Sequence, residues 1–576
     1  MQPNPPFRIL LVSLDTGGTR VVNHGSSADC LGGSGLAASL YERYGHPEEP
    51  ALSPCQPLIF AIGPLTGLFP MMSKVVCGFV SPHIGQYAES HAGGRLPWAM
   101  KQAGIDALVI SGRAPRMSWL GVDSAGAEVR EGAGLAGQDP ATVHARVLTM
   151  LSARPGRTSV ACIGPAAENG CTFSCITVDR HRHFGRLGAG TVLASKNIKA
   201  LAVVGDGLRP EGFGPDYKVL RRTMHDLAAK SPSMEKYRGV GTSQIISSLN
   251  ALGSLPWRNL QATSREGIES LSGERIPATV PVRRAACTGC PVGCIRLAVM
   301  PEEDGVVGFD FEHMACCGSM LALSEPREVF RLLAEVERQG MDVMSAGGCL
   351  AWACEASERG LIAPELTGLE LRFGDVEALT HGLRLLGQGE TPFWKELAQG
   401  VRNAVRVYGG ADFGCVLGQE MAGYASGPTF FAAQAMNFRH SHLDNACYSY
   451  DLECGGPPED AVRFLLRDEH RRVMVNCMVG CLFGRHIYSG EVLARCLDSV
   501  GHGLAASRLD ALAEDVRRRR WRLKFATGVD PATVSLPKRF SEVVTPGGAV
   551  TAQALEALRS QYAEALGRML GQGREV

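Results

Sequence analysis

Cys287, Cys290 and Cys294 form a C-x2-C-x3-C group in Ala286-Cys287-Thr288-Gly289-Cys290-Pro291-Val292-Gly293-Cys294. Gly289, Pro291 and Gly293 allow a tightly bent path there. Three sulfurs on such a path can meet one pole of a cubane iron–sulfur cluster while a fourth thiolate arrives from elsewhere. Zinc more often takes two separated C-x2-C knuckles, or cysteine pairs joined by histidines, and the chain holds no second C-x2-C.

At 576 residues the chain is past the size at which one core stops growing, so about two to four domains must position this group. Apolar residues at 45% and charged residues at 20% describe an ordinary globular protein. Fifty-eight basic residues cancel fifty-eight acidic ones, which removes any global argument for nucleic acid or an anionic membrane surface as partner. The one basic block, Arg517 to Arg520, reads as a solvated helix face before Trp521. Pro3, Pro5, Pro6 and Arg8 before the short run Ile9 to Val12 fit a first strand rather than a secretory signal. No apolar run approaches the roughly 20 residues that span a bilayer, so membrane insertion is not expected. Nineteen cysteines without an export signal point to reduced thiols and metal ligation in the cytoplasm.

Strand-like runs at Arg8 to Leu14, Leu58 to Ile62, Ala107 to Ile110, Thr158 to Ile163 and Ala200 to Val204 alternate with glycine and proline turns. Helical periodicity follows: Ser324 as N-cap, Pro326, then Val329, Leu332, Leu333 and Val336 up to Gly340, and again over Gln553 to Leu570. The fold class is therefore α+β, a β-rich domain over 1–208 followed by mainly helical domains over 209–415 and 416–576. The cysteine group falls in the helical part. Three glycine loops, Gly32-Gly33-Ser34-Gly35, Gly93-Gly94 and Gly185-Arg186-Leu187-Gly188-Ala189-Gly190, would let backbone amides approach an anion. Each taken singly is an ordinary tight turn, and the third lacks the acidic residue of a dinucleotide site.

The ordered segments Leu31-Gly32-Gly33-Ser34-Gly35-Leu36-Ala37, Gly63-Pro64-Leu65-Thr66-Gly67, Lys101 to Gly112, Ile163 to Asn169, Ser195 to Ala200 and Leu536-Pro537-Lys538-Arg539, with the cysteine group, carry a resemblance across nearly the whole chain. It is to the aldehyde:ferredoxin oxidoreductase family of tungsten or molybdenum bis-pterin enzymes. The resemblance implies a β-rich base on which two pterins spread, covered by helical domains, with the metal held by dithiolenes and needing no side chain.

It also implies roles for individual residues. Cys481, in Asn476-Cys477-Met478-Val479-Gly480-Cys481, is the counterpart of the fourth ligand of a [4Fe–4S] cluster, and Cys477 is its rival. Asn476 and Gly480 would contact one pterin, and Glu337 with Asp342 the other. Gly93, Gly94, Gly185 and Arg186 would line both. Lys74, Arg182, His91 and His183 would hold the pterin phosphates and their bridging magnesium, the histidines through backbone carbonyls. Lys74 stands where an arginine is common, so a point charge replaces a bidentate contact. Gly308-Phe309-Asp310-Phe311-Glu312 matches a segment that places Glu312 beside the metal, able to take a proton from water or a hydrated substrate. His442, with His440 competing, matches the family's active-site histidine. Cys316 and Cys317 read as buried apolar thiols.

The expected activity is oxidation of a small-molecule aldehyde to a carboxylic acid with water as oxygen source. Two electrons would pass from the pterin-bound metal through the cluster to ferredoxin or a ferredoxin-like subunit, with a homodimer as the expected assembly. Alternatives are a family member acting on a 2-hydroxy acid or reducing an acyl-CoA, and a non-catalytic iron–sulfur electron-transfer subunit. A radical S-adenosylmethionine enzyme would carry the reverse spacing, C-x3-C-x2-C.

Overall fold

In the computed structural model, which describes residues 4–152, 156–207, 213–303 and 305–571, the glycine-rich first third folds into two six-stranded sheets. One contains β1 (Pro6–Ser13), β2 (Gly18–Ser26), β3 (Leu58–Ala61), β4 (Val75–Val80), β5 (Tyr87–Ala92) and β6 (Ala107–Ser111), in the spatial order β2-β1-β6-β3-β4-β5. The other contains β7 (Ser118–Asp123), β8 (Gly126–Glu131), β9 (Thr158–Cys162), β10 (Ile176–Val178), β11 (Arg182–Phe184) and β12 (Ile198–Val204), ordered β11-β10-β9-β12-β7-β8.

The period of two along each strand builds the layers. Leu58 and Phe60 of β3, Val75, Cys77 and Phe79 of β4, and Leu108 and Ile110 of β6 share one core with Leu120, Ala161, Val178 and Leu201 of the second sheet. The residues between them, Ile59, Ala61, Val76, Val80, Ala107 and Val109, belong to the core of the opposite face. Helix Gly33–Tyr44 packs against β3 and β4 there. Cover on both faces is why these strands read as unbroken apolar runs. Phe60 meets Phe184 edge-on at 5.4 Å across the seam between the sheets. Burying one such ring contributes about 1.5–3 kcal/mol, and Phe60→Ala would cost about 3–5 kcal/mol with its cavity.

The five predicted strands appear as β1, β3, β6, β9 and β12. The predicted helices appear as Pro326–Gln339, ended by Gly340 at φ 73°, and Ala552–Met569. Ser324 is not the N-cap: Pro326 biases the residue before it away from helical backbone, so Glu325, at φ −91° and ψ 119°, takes that place without a side-chain cap bond. The cysteine group lies in the helical half, yet on a sheet of its own. β13 (Val282–Ala285), β14 (Ile295–Met300) and β15 (Gly305–Phe309) pair antiparallel, and the cysteine loop joins the first two.

The Arg517 to Arg520 block is not a solvated face. On helix Ala506–Ala526, Arg517 and Arg520 lie three residues apart on the inward side with Trp521, and Arg520 is 1% exposed. Its Nε donates to Glu89 of β5 at 2.7 Å, tying the second helical region to the first sheet. The expected boundary at 208/209 lies outside the described residues. Among the described residues no helix is long and apolar enough to cross a membrane.

Candidate active site

Register brings the chemistry together. Ala285 pairs with Ile295 and Arg296 with Phe309, so the cysteine loop and the segment Asp310-Phe311-Glu312 leave the small sheet at the same end. Cys287, Cys290, Cys294 and Cys481 are all half-buried free thiols. Within the loop Cys290 N–H donates to the Cys287 carbonyl at 3.1 Å, and Thr288 N–H donates to the Gly94 carbonyl at 3.1 Å. Helix Pro458–Cys477 stops at Met478, after which Cys481 N–H donates to the Met71 carbonyl and Lys74 N–H to the Val479 carbonyl. This short ladder carries Cys481 and Lys74 to the loop. Burial, followed by the charges of Cys481 and its neighbours, pushes the Cys290 thiol up to about 12 and Cys294 to about 11. Burial also opposes ionisation of Cys287, but Arg182, Lys74 and the Gly94 amide outweigh it and lower its pKa.

Cys477 is placed differently. It is 0% exposed, packs towards Gly35 and Cys30, and is pushed up to about 12 by burial. Among the described residues no three His, Cys, Asp or Glu side chains are arranged to hold a single metal ion.

Behind the thiols stands a set of polar side-chain atoms without hydrogen-bond partners among the described residues. A Cβ on Gly93 would lie 2.6 Å from Cys287 Sγ and 3.4 Å from Lys74 Nζ, so only glycine fits between thiol, lysine and Arg182. Arg182 Nε and Arg186 Nη1 are buried and unpaired. Asn476 is 4% exposed, and its side chain makes no hydrogen bond among the described residues. His91 and His183 stand on β5 and β11, the end strands of the two sheets, which touch each other. His183 Nε2 faces Glu337 Oε2 at 3.0 Å. The His91 ring is turned to Glu89, and burial lowers its pKa to about 4.

Asp342 caps helix Val343–Glu358 and accepts from Ser345 Oγ and from Arg186 Nε at 3.0 Å, so its effect on the site runs through Arg186. Gly94, at φ 109°, needs the freedom of glycine. Gly185 meets only His183 Cβ at 3.9 Å, whereas a Cβ on Gly480 would strike Val475 at 2.8 Å. The loop Gly32-Gly33 is filled by the chain itself, since a Cβ on Gly33 would lie 2.2 Å from the Asn476 carbonyl oxygen. Unpaired buried donors around an open glycine edge fit an anionic, acceptor-rich cofactor such as a pair of pyranopterin phosphates.

Glu312 opens helix Phe311–Cys316. Its Oε1 accepts from the Tyr424 hydroxyl at 3.1 Å and faces His442 Nε2 at 3.0 Å. Tyr424 and His442 are 5% and 4% exposed, and Phe311, Phe430 and Tyr448 surround the Tyr424 ring. His440 is held elsewhere, Nδ1 on the Ala435 carbonyl and Nε2 against Lys524, so His442 alone of the two reaches the carboxylate. Asp310 pairs with His313, whose pKa rises to about 9, burial opposing and Asp310 driving the shift. Cys316 and Cys317 are buried, and burial pushes both thiols far up. Tyr424 has no signal in the sequence, since Gly423-Tyr424-Ala425 carries no motif and lies 112 residues from Glu312.

Comparison with known proteins follows this geometry. The family model for the N-terminal domain of aldehyde ferredoxin oxidoreductase matches residues 9–205, and that for its domains 2 and 3 matches residues 218–569. A tungsten-containing aldehyde ferredoxin oxidoreductase of Pyrococcus furiosus is 28% identical over 94% of this chain and 92% of its own length. The enzyme of that name from Pyrococcus abyssi is 31% identical over 72% of this chain and 70% of its own. An aliphatic sulfonate oxidoreductase, WOR-like subunit, of P. furiosus is 27% identical over 60% of this chain and 57% of its own. The solved active-site complex BamBC of benzoyl coenzyme A reductase shares the fold, with a TM-score of 0.84 at 18% identity, covering 98% of this chain and 95% of that one. The chain belongs to the aldehyde ferredoxin oxidoreductase family, whose members are oxidoreductases.

Proposed function

We propose that the chain oxidises an aldehyde to a carboxylic acid, RCHO + H2O giving RCOOH, two protons and two electrons. The observation that carries this reading is the emergence, from one end of one small sheet, of a cysteine loop and a Glu312–His442–Tyr424 group flanked by Arg182 and Arg186, each with an unpartnered buried nitrogen. Cys287, Cys290, Cys294 and Cys481 would hold a [4Fe–4S] cluster. Lys74, Arg182, Arg186, Glu337 and Asn476, with the edges at Gly93-Gly94, Gly185 and Gly480, would hold two pterins, and the carbonyls of His91 and His183 a bridging magnesium. Bound there, the tungsten or molybdenum bis-pterin supplies the two-electron acceptor and the cluster the one-electron exit towards ferredoxin.

The chain itself handles protons and position. Held on Oε1 by Tyr424 and His442 and hydrogen-bonded to the Asp310 carboxyl, Glu312 is placed to take a proton from water or from a hydrated aldehyde. With its Nε2 turned to the carboxylate, His442 keeps an unpartnered buried Nδ1 for the second proton. The rings of Phe311, Tyr424, Phe430 and Tyr448 give an apolar wall suited to the body of an aldehyde and exclude bulk water. Reduced thiols and this electron partner fit a cytoplasmic enzyme. The test is an anaerobic panel of aldehydes, 2-hydroxy acids and acyl-CoA esters with a viologen dye. Turnover of at least one aldehyde, lost in Glu312→Gln with metals retained, is expected. Activity confined to the other two classes would move the substrate to the alternatives.

A further inference from the structure

Charge around the cysteine loop departs from the balance of the whole chain. The three segments that meet there, 231–241, 281–294 and 481–488, contain Lys236, Arg238, Arg283, Arg284 and Arg485 against the single acid Glu235. They are joined in space. Arg284 lies along Gly293 of the loop and donates to the Arg238 carbonyl at 3.4 Å. Lys236 Nζ sits 5.2 Å from the Tyr237 ring centre, and Tyr237 stacks on Phe483, two residues from Cys481, with centroids 4.2 Å apart and planes 5° from parallel. Arg485 and the thiols of Cys481 and Cys294 all act electrostatically on Tyr237.

Lys236 and Arg284 are exposed, while Arg238, Arg485, Tyr237, Phe483 and the four cysteines are half-exposed. None of these cations has an ion-pair partner among the described residues, whereas exposed arginine side chains elsewhere, such as those of Arg130, Arg327 and Arg463, are paired. A stacked, half-buried aromatic pair inside a rim of unpaired cations has the anatomy of a transient protein-binding face, with an apolar anchor and a charged rim.

We infer that this face, over the cysteine loop and centred on Tyr237 and Phe483, docks an acidic ferredoxin-class iron–sulfur protein. The inference rests on the reading above, in which the four thiolates hold a cluster. Electron transfer weakens steeply with distance, so a carrier must come close to the thiolates, and the half-exposed loop offers that approach. A cluster held by these thiolates would supply one electron to the oxidised carrier at each encounter, so two encounters would take up the two electrons of one turnover. Unpaired Lys and Arg attract an acidic partner and speed its arrival while leaving the complex weak enough to part.

The test measures binding, without turnover, of the cofactor-loaded protein to an oxidised acidic bacterial-type ferredoxin by anaerobic calorimetry at low and high salt. Wild type should bind with a Kd that weakens as salt rises past the point where the Debye length falls to about 10 Å. Lys236→Glu/Arg284→Glu should raise Kd roughly tenfold or more at low salt, and Arg284→Lys should keep it near wild type. Reduction of the cationic dye methyl viologen should stay unchanged in the double variant, which shows that it is folded and loaded. A Kd within about twofold of wild type in that variant, or wild-type binding that ignores salt, overturns the docking face. Cluster absorbance is read on the same samples. A protein without cluster that still binds through these cations counts against the catalytic reading, while a loaded protein whose binding ignores them counts against the docking face alone.

Discussion

Buried charge in this molecule comes in two kinds. Around Glu89 every site is filled: Arg520 donates through Nε and Nη2 at 2.7 and 3.2 Å, Ser34 Oγ donates at 2.7 Å, and His91 lies at 3.3 Å. Glu420 is similarly enclosed by His83, Ser345 Oγ and the Val401 amide. Arg182, on the strand that faces the cysteine loop, makes no hydrogen bond or ion pair among the described residues, its electrostatic neighbours being the thiols and Asp310, and neither Lys74 Nζ nor the Asn476 side chain makes one. A fold that satisfies Glu89 so fully has the means to satisfy Arg182. Under the proposed function that opening would take a group that is not part of the chain. Closed networks hold the domains together, and under the proposed function the open ones would receive the cofactor.

Substitution should therefore separate the two kinds, cofactor being lost on the open side and stability on the closed one. The largest effect is expected for Cys481→Ser, with nearly all cluster iron and visible absorbance gone, whereas Cys477→Ser keeps both. The reverse outcome would exchange their assignments. Glu312→Gln should lower kcat by roughly 10²- to 10⁴-fold with metal content intact, and Tyr424→Phe by about tenfold, since it removes one of two contacts on Oε1. On the closed side, Arg520→Met strands Glu89 without its counter-charge, and denaturant unfolding should register a loss of about 3–5 kcal/mol.

His502 gives a smaller, pH-dependent term. Burial and then Lys101 lower its pKa to about 4, and its Nδ1 meets Ser27 Oγ at 2.8 Å. The unfolded chain binds this proton more readily, so the contribution is complete above pH about 6.5 and fades as pH falls towards 4, amounting to about 2–3 kcal/mol. His502→Gln should flatten stability over that window. The smallest change in stability is expected for Arg182→Gln: the protein freed of cofactor should shift by no more than about 1 kcal/mol, since the guanidinium makes no hydrogen bond or ion pair among the described residues, while pterin retention falls. A loss of stability as large as that of Arg520→Met would erase the distinction drawn here.

Much of this arrangement was legible in the sequence, for physical reasons that also mark where legibility stopped. β3 and β6 read clearly because both faces are covered and their runs are unbroken. β2 and β8 carry little burial, so no alternation announced them. β4 has Gly78 in mid-strand, where a Cβ would press on Tyr87 Oη at 3.2 Å and Ala37 at 3.3 Å, a demand of tertiary packing invisible in the local run. The spacing of Cys287, Cys290 and Cys294 was plain, because a tight loop is a local matter. The Arg517 to Arg520 block misled because a basic run gives no sign of Glu89 waiting more than 400 residues away. Tyr424, Tyr237 and Phe483 escaped for the same reason: their meaning lies in partners distant in sequence.

The central claim is that the open side is a bis-pterin and cluster site. Iron, tungsten, molybdenum and released pterin should be quantified together on protein purified without oxygen. The account predicts about four iron atoms, about one group-6 metal and about two pterins per chain. Iron at that level with neither pterin nor group-6 metal would contradict it and leave a chain that only carries electrons.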